Sequence, residues 1–212
     1  MNGVKALDAL EEEASVIFSP SLKGKRVLDM GAWDGFFSFE AERRGAQEVL
    51  ATDHFCWSGP GWGDKRGFDH AHARFGSRVM SQDIDISDHS PQTLGMFDLV
   101  LLLGVLYHVT DPYRTLEAAA AMSRDQIVVE TVTAMRHESL PAMRLFQPLE
   151  LDKDPTNFWA PNIPALRQML SRFGFSEFRV TPGSLDDRGW RKWARPFRRQ
   201  DHYRRAIIHA RR

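Results

Sequence analysis

Short apolar runs alternate with amphipathic stretches along the chain, which predicts a parallel sheet with crossover helices. Residues 97–104, FDLVLLLG, are apolar at both alternating positions, which is typical of a central strand buried on both faces. The alanine-rich segment Pro112–Met122 predicts one helix, and Ile163–Phe173 predicts another, opened by Asn162 and closed by Gly174. The predicted strands are Lys25–Met30, Glu48–Thr52, Arg78–Ile84, Phe97–Gly104, Gln126–Thr131, Ser176–Thr181 and Arg204–Ala210.

The last two predicted strands have little helix between them and are expected to pair antiparallel. The fold class is therefore α/β: a Rossmann-like, doubly wound, seven-stranded sheet, mostly parallel, with an antiparallel C-terminal hairpin. We interpret residues 1–212 as a single domain with lid-like insertions at 54–68 and 133–162, because long irregular segments in a compact domain usually form lids or binding loops.

Composition and charge narrow the choice of partner. Hydrophobic residues make up 42% of the 212 residues and charged residues 26%, which is typical of a globular protein. The 28 lysines and arginines balance 28 acids, so the whole chain has no electrostatic bias toward nucleic acid or membrane. The segment Arg188–Arg212 is nevertheless basic. It could bind a polyanion, although a solvated surface is the commoner meaning of such a run.

The single cysteine, Cys56, excludes an internal disulfide and a cysteine-based metal site, and it suits a reducing compartment. No stretch approaches the roughly 20 apolar residues of a membrane span, and the start of the chain does not resemble a secretory signal. We expect a soluble, cytoplasmic protein that does not bind membranes. The sequence leaves its oligomeric state open, a homodimer included.

Residues 27–53, VLDMGAWDGFFSFEAERRGAQEVLATD, place polar groups at the ends of the first two strands. Gly31 and Gly35 predict a tight turn at a helix N-terminus, where backbone N–H groups can meet a polar ligand. Asp53 ends the next strand, where a carboxylate can bind both hydroxyls of a ribose. The glycine turn and Asp53 together predict a cofactor that contains a ribonucleoside.

Two such cofactors compete for this turn. The dinucleotide fingerprint GxGxxG needs a third glycine, whereas residues 31–36 read GAWDGF, and Trp33 and Asp34 suit a diphosphate poorly. S-adenosylmethionine has no phosphate but carries a cationic amino group and a sulfonium, which Asp29 and Asp34 would attract. The turn therefore favours S-adenosylmethionine.

Together with Asp53, the motifs VLDMGAWDGFFSFEAERRGA, FDLVLLLGVLYHVTDPYRTL and IVVETV resemble the class I S-adenosylmethionine-dependent methyltransferases. Within them the chain is similar to the branch that holds the tRNA wobble-uridine carboxymethyltransferases and related small-molecule and sugar O-methyltransferases. The likeness runs from about Arg26 to Val180, and the GVLYH block is its most specific part.

This resemblance implies a cofactor site. The glycine turn would bind the methionine side, Asp53 the ribose and the region Gln82–Ile84 the adenine, while Leu103–Val105 would form the floor. The predicted cofactor-binding residues are Asp29, Gly31, Ala32, Trp33, Asp34, Gly35, Asp53, His54, Asp83, Ile84, Leu103, Gly104 and Val105.

The chain departs from the tRNA-modifying pattern in two places. Those enzymes have an extra N-terminal region, whereas only about 25 residues precede the first predicted strand here. They also carry an arginine, associated with the carboxylate of a carboxylated cofactor, where this chain has Thr156 before Asn157. Plain S-adenosylmethionine is therefore expected, and nucleic acid is disfavoured as a partner.

Methyl transfer to a hydroxyl needs alignment of the reacting groups and removal of a proton. His108 is the candidate base because it follows the central strand and imidazole titrates near neutral pH. Tyr107 and His137 are further catalytic candidates; the alternative for Tyr107 and His108 is that they only shape the cofactor pocket. Glu130 and His137 could also hold Mg²⁺, although a capping glutamate and a surface histidine are commoner.

Several tryptophans suggest a stacking platform for a sugar ring, with closure of loops onto the core as the alternative. They are Trp57, Trp62 and Trp159, extended by Trp190 and Trp193. The sequence thus predicts an S-adenosylmethionine-dependent O-methyltransferase acting on a hydroxyl of a small polar acceptor, with a saccharide leading. The alternatives are a tRNA wobble-uridine methyltransferase and a non-catalytic cofactor-binding subunit that holds a partner through Arg188–Arg205.

Overall fold

A computed structural model describes residues 5–18, 21–61, 63–182 and 203–212 of the chain. A short 3₁₀ helix spans Ile86–Asp88. In chain order the other elements are α1 Leu7–Ile17, β1 Arg26–Met30, α2 Phe36–Arg43, β2 Glu48–Asp53, α3 Arg66–Phe75, β3 Met80–Asp83, α4 Pro91–Leu94, β4 Phe97–Leu103, α5 Pro112–Met122, β5 Ser123–Thr133, β6 Met143–Leu145, β7 Trp159–Pro161, α6 Ile163–Arg172, β8 Glu177–Pro182 and β9 Arg204–Arg211.

Seven of the described strands form one sheet in the order β3-β2-β1-β4-β5-β9-β8. The first five are parallel, and β9 pairs antiparallel with both β5 and β8. The predicted fold class is therefore confirmed. Strand order reverses between β1 and β4, and in such sheets ligands bind beyond the carboxyl ends of the strands at this point.

Alternating residues of β4 pack into two separate cores, which explains why this strand is apolar on both faces beyond Asp98. Val100 and Leu102 belong to the core formed with α5 and α6, whereas Leu99 and Leu101 belong to the core formed with α1, α2 and α3. All four side chains are buried, and full burial of one such side chain contributes about 1.5–3 kcal/mol. The sheet is thus the middle of three layers and holds its strand ends rigidly.

The helix starts follow the capping signals in the sequence. The carboxylate of Asp111 accepts from the backbone N–H of Arg114 at the start of α5, and Asn162 caps α6 by accepting from Ala165 N. Both helices have proline in the first turn, where its missing N–H costs no hydrogen bond. These caps place the loops that precede α5 and α6 beside the carboxyl ends of β4 and β5.

The structure differs from the predicted elements at several places. Helix α1 was not predicted, and its N-cap Ala6 makes no side-chain capping bond that could have marked it. The insertion predicted at 54–68 is shorter, because α3 already begins at Arg66. The insertion at 133–162 is not wholly irregular, because β6 and β7 pair antiparallel within it.

Candidate functional site

A cavity of about 480 Å³ lies at the carboxyl ends of the central strands. The loop after β1, the end of β2 and the loop after β4 form most of its wall. Helix α1 adds Leu10, Glu13 and Ile17, and Lys5 precedes this helix. The sheet adds Glu130 of β5 and Arg205 of β9. This is the position that the strand order predicts for a ligand.

Most of the predicted cofactor-binding residues line this cavity. Asp29 and Asp83 are not among the lining residues. Those that do line it are Gly31, Ala32, Trp33, Asp34, Gly35, Asp53, His54, Ile84, Leu103, Gly104 and Val105. The structure thus brings together residues from four separate segments, while their individual roles stay predictions.

The turn after β1 depends on two glycines with left-handed backbone. Gly31 has φ +79° and Gly35 has φ +81°, a region that residues with a side chain rarely adopt. A Cβ added to Gly31 would lie 2.4 Å from Cγ2 of Val105, so a side chain is excluded there by contact as well. The backbone N–H groups of Gly31 and Ala32 donate to the carbonyl oxygen of Thr52, which ties this turn to β2.

The carboxylate of Asp53 joins two loops of the cavity wall. Its Oδ2 accepts from the backbone N–H of Trp33 at 2.9 Å, and its Oδ1 accepts from that of Cys56, also at 2.9 Å. Burial raises the pKa of Asp53, and these hydrogen bonds oppose the rise. Each carboxylate oxygen has a second lone pair, so Asp53 retains acceptor capacity for ligand hydroxyls.

Asp29 and Asp83 do not line the cavity and bond instead to neighbouring side chains. The hydroxyl of Ser38 donates to Asp29 Oδ2 at 2.6 Å, and burial raises the pKa of Asp29 to about 6. Asp83 instead bonds to Nδ1 of His54 at 2.8 Å, and this bond raises the pKa of His54. Because neither residue lines the cavity, their predicted binding to the cofactor stays a prediction.

Tyr107 is held from behind by Arg205. Nη1 of Arg205 donates to the phenol oxygen of Tyr107 at 2.9 Å, while its Nε and Nη2 donate to the two carboxylate oxygens of Glu130. Burial raises the pKa of Tyr107, although the cation of Arg205 opposes this. The phenol therefore keeps its proton near neutral pH, which makes Tyr107 a hydrogen-bond donor and not a base.

His108 also lines the cavity, beside Tyr107. Its Nδ1 lies 2.9 Å from the hydroxyl oxygen and 3.2 Å from the carbonyl oxygen of Thr156, in the insertion 133–162. Burial lowers the pKa of His108, and Arg205 contributes in the same direction. The imidazole is therefore neutral near pH 7 and able to accept a proton.

The structure does not support the predicted metal site. His137 is exposed and absent from the cavity lining, because the chain leaves the sheet after β5 and turns outward. Both carboxylate oxygens of Glu130 accept from Arg205, whose positive charge would repel a metal ion bound to the same carboxylate. Within the described ranges, no group of three or more His, Cys, Asp or Glu side chains converges as a metal site would need. The predicted catalytic role of His137 has no geometric support either.

The predicted tryptophan platform is not formed by the residues that can be placed. Trp57 is buried and donates from its indole N–H to the carbonyl oxygen of Trp33, so it closes a loop onto the core. Trp159 donates to the carbonyl oxygen of Thr110 and does not line the cavity. Trp62, Trp190 and Trp193 lie outside the described residues.

Sequence reasoning missed several residues of the wall. Arg205 was assigned to a basic surface run, and the residues of α1 were not considered. His89 is buried; its Nδ1 donates to the carbonyl oxygen of Asp85, and its Nε2 lies 2.9 Å from the hydroxyl of Thr52. No sequence motif of recognisable spacing surrounds His89, so the sequence does not identify it as a residue of the cavity wall.

Within the part of the chain that the structure describes, no helix is both long and apolar enough to cross a bilayer.

A family model described as "Methyltransferase domain" matches residues 6–177. Among curated proteins, the tRNA U34 carboxymethyltransferase of Pseudomonas putida (strain GB-1) is 28% identical over 182 residues, covering 82% of this chain and 54% of that protein. The corresponding protein of Helicobacter acinonychis (strain Sheeba) is 26% identical over 164 residues, covering 76% and 59%. The chain thus spans about half the length of these relatives.

Solved structures share the fold. The N-terminal domain of EvdMO1, crystallised in the presence of SAH and D-fucose, superposes with a TM-score of 0.70 at 20% identity, covering 99% of this chain and 84% of that one. Magnesium protoporphyrin IX methyltransferase from Synechocystis PCC 6803 with bound SAM gives a TM-score of 0.64 at 14% identity, covering 97% and 79%.

Proposed function

The chain belongs to the methyltransferase-domain family, and from this premise we propose that it is an S-adenosylmethionine-dependent O-methyltransferase. Its acceptor is a hydroxyl group of a small polar molecule, with a saccharide as the leading candidate. The cofactor supplies an electrophilic methyl group on a sulfonium.

The observation that carries the proposal is the charge of the cavity. Its described lining contains the acids Glu13, Asp34, Asp53, Asp85 and Glu130. The cations Lys5 and Arg205 are paired with Glu13 and Glu130 respectively. The cavity therefore suits a ligand with positive charge and offers no unpaired lysine or arginine of the described lining to a pyrophosphate. This favours S-adenosylmethionine over a dinucleotide.

The residues present also fit the shape of this cofactor. Asp53 is the group that would hold the ribose hydroxyls, because its oxygens retain acceptor capacity. The turn that contains Gly31 would take the methionine end, and Ile84 would border the adenine. A cavity of about 480 Å³ falls within the usual range for small-molecule sites.

Tyr107 and His108 supply the chemistry at the acceptor end of the cavity. The phenol of Tyr107 donates a hydrogen bond that orients the acceptor. When bound, the cofactor would supply its methyl group to the hydroxyl oxygen of the acceptor and would keep the electron pair of the broken bond on its sulfur. The hydroxyl proton passes to Nε2 of His108. General-base help of this kind contributes about 10²–10⁴-fold.

The saccharide assignment has two supports. Tyr107 and His108 present a donor and an acceptor to the cavity, which suits a hydroxyl-rich molecule. The fold is shared with the EvdMO1 domain crystallised with D-fucose. We further propose that residues 1–212 act as one methyltransferase domain and that the insertion 133–162, which contacts His108 through Thr156, selects the acceptor.

A second candidate is modification of tRNA, because the curated relatives named above are tRNA U34 carboxymethyltransferases. Thr156, which stands where those enzymes carry an arginine, is bonded to His108 and Asp154. This opposes a carboxylated cofactor in the same position. The non-catalytic alternative depends on Arg188–Arg205, most of which lies outside the described residues.

The first test is calorimetry with S-adenosylmethionine, its demethylated product and NAD, each with and without Mg²⁺. We expect heat from the first two ligands only, little dependence on Mg²⁺, and at least tenfold weaker binding by Asp53→Ala. Asp69→Ala, an exposed position on α3, is the matched control and should bind as the unmodified chain does. Heat from NAD alone would overturn the proposal.

The second test identifies the acceptor. Methyl transfer from labelled S-adenosylmethionine is measured with a panel of free sugars and sugar glycosides and, separately, with unmodified tRNA. Incorporation into a sugar supports the proposal. Incorporation into tRNA alone establishes the second candidate, and cofactor binding without transfer to either class favours the non-catalytic subunit.

A further inference from the structure

Three residues form a continuous hydrogen-bond chain that ends in the cavity. The hydroxyl oxygen of Thr156 lies 2.6 Å from Oδ1 of Asp154 and 2.9 Å from Nδ1 of His108. The same Oδ1 accepts the backbone N–H of Thr156 at 2.8 Å, which fixes the turn that presents the hydroxyl. The chain therefore runs from a carboxylate through a hydroxyl to an imidazole.

The direction of each bond follows from the number of protons. An ionised carboxylate has acceptors only, so the hydroxyl of Thr156 donates its single proton to Asp154. The hydroxyl oxygen can then only accept from His108, which requires a proton on Nδ1. The carbonyl oxygen of Thr156 is also an acceptor and favours the same tautomer, but it lies farther from Nδ1, at 3.2 Å, than the hydroxyl does. In the neutral ring, Nε2 then carries the lone pair.

This choice of tautomer matters because a neutral imidazole can accept a proton on one nitrogen only. Burial is the largest effect on the pKa of His108 and lowers it; Arg205 acts in the same direction, while the bond to Thr156 and the charge of Asp154 oppose the change without reversing it. The neutral ring is therefore favoured near pH 7. If the hydroxyl of Thr156 donated to Nδ1 instead, Nε2 would hold the proton and would be unable to accept another.

We propose that Asp154 and Thr156 are positioning residues that hold His108 in the tautomer whose Nε2 accepts the proton of the acceptor hydroxyl. The inference rests on the proposed O-methyl transfer and adds to it two residues from the insertion 133–162. Because these residues lie in that insertion and His108 follows β4, the placement of the insertion and the protonation state of the base are coupled.

The tautomer can be measured without an acceptor. Two-bond ¹H–¹⁵N spectra of histidine-labelled protein distinguish a protonated ring nitrogen from an unprotonated one, and His108→Gln identifies the signals of this ring among the eight histidines. We expect a protonated Nδ1 and an unprotonated Nε2 at pH 7.5. A protonated Nε2 in the unmodified chain would overturn the proposal, whatever the activity.

Variants distinguish the effect of Asp154 on the tautomer of His108 from that of Thr156. Asp154→Ala frees the hydroxyl of Thr156 to donate to Nδ1, so the Nε2-protonated tautomer should appear. Asp154→Asn keeps an oxygen acceptor in place and should retain the original tautomer, which also controls for loss of the turn. Adding Thr156→Val to Asp154→Ala removes the competing hydroxyl and leaves only the carbonyl, so the original tautomer should return. A double variant that resembles Asp154→Ala alone would contradict the inference.

Kinetics with the acceptor found in the screen complete the test. Asp154→Ala should lower kcat about tenfold, the value of one hydrogen bond, with the KM for S-adenosylmethionine unchanged within about twofold. Asp154→Asn should recover most of the rate, and Asp152→Asn, an exposed neighbour, is the control for loss of charge. An unchanged kcat in Asp154→Ala overturns the positioning role. Failure to find any hydroxyl acceptor instead refutes the proposed function, since the spectra report the tautomer independently.

Discussion

Arg205 donates from Nη1 to the phenol oxygen of Tyr107 at 2.9 Å, joining two residues that are 98 positions apart in the sequence. The same guanidinium occupies both carboxylate oxygens of Glu130. Its planar fork suits this task, because a guanidinium offers five donors in a fixed geometry. One side chain of β9 thus fixes a donor of the cavity and neutralises a buried acid.

Replacing Arg205 by alanine is expected to destabilise the fold strongly. Glu130 is only 4% exposed, so the variant leaves its carboxylate buried without its partner. Loss of one member of a buried pair costs about 3–5 kcal/mol in the free energy of unfolding. Urea unfolding followed by tryptophan fluorescence measures this loss.

Two further variants test whether the unpaired carboxylate of Glu130 causes the loss of stability. Adding Glu130→Gln to Arg205→Ala removes the stranded charge and should recover part of the stability. Arg66→Ala breaks an exposed pair with Asp64 and should leave the urea midpoint unchanged. Equal losses in Arg205→Ala and Arg66→Ala would mean that the buried pair makes no special contribution.

Alanine substitution at Gly31 and Gly24 should separate backbone strain from steric contact. Both glycines have nearly the same left-handed backbone, with φ +79° and +77°, but a Cβ at Gly24 meets nothing within 4 Å. Gly24→Ala should cost about 1–2 kcal/mol for the backbone alone. Gly31→Ala should cost about 1–3 kcal/mol more because its Cβ collides with Val105.

The same pair of variants reports on the cavity. Gly31→Ala should weaken binding of S-adenosylhomocysteine at least tenfold in calorimetry, since the displaced Val105 lines the cavity. Gly24→Ala should bind as the unmodified chain does. Equal binding by both variants would show that the turn after β1 does not shape the ligand site.

Asp29 should make stability depend on pH in the acidic range. Burial raises its pKa from the ordinary 3.8 to about 6, so the folded state holds this proton more tightly than the unfolded state. The contribution of Asp29 to stability is complete below about pH 4 and is lost as pH rises to about 6; two pKa units correspond to about 3 kcal/mol. Asparagine does not titrate, so Asp29→Asn does not lose stability in this way. The free energy of unfolding of Asp29→Asn minus that of the unmodified chain should therefore rise by about 3 kcal/mol between pH 4 and 7.

Ser38 provides the check on this assignment. Its hydroxyl donates to Asp29 and opposes the rise of the pKa. Ser38→Ala should therefore extend the pH-dependent loss of stability to higher pH in urea titrations at several pH values. A stability difference between Asp29→Asn and the unmodified chain that is flat with pH would contradict the assignment.

The centre of the sheet could be predicted from sequence because β1, β2, β4 and β5 are mostly apolar and buried, whereas the four residues of β3 are exposed. The run at β4 is apolar on both faces, the helix that follows β4 is rich in alanine, and Asn162 marks the start of the helix that follows β7. The short pair β6 and β7 could not be predicted, since each strand has three residues and their pairing joins Leu145 to Trp159 across an irregular loop.

The candidate site was predictable where one short segment supplies several residues, as in the turn from Gly31 to Gly35. It was not predictable where the structure joins distant segments. Arg205 reaches Tyr107 only because β9 inserts beside β5, and Thr156 reaches His108 across 48 positions. For Trp57 the sequence leaves a ligand platform and closure of a loop onto the core both open; the bond from its indole N–H to the carbonyl oxygen of Trp33 favours the second.

The place of β9 in the sheet also constrains the order of assembly. Among the described strands, β8 pairs only with β9, and β9 separates it from the remainder of the sheet. During synthesis Glu177–Pro182 leave the ribosome before Arg204–Arg211, yet they cannot join the sheet until the later segment does. The same late strand brings Arg205 to Tyr107. A nascent chain that ends before β9 therefore lacks both the β8–β9 end of the sheet and Arg205 in the lining of the cavity, so the described lining is complete only after β9 has joined.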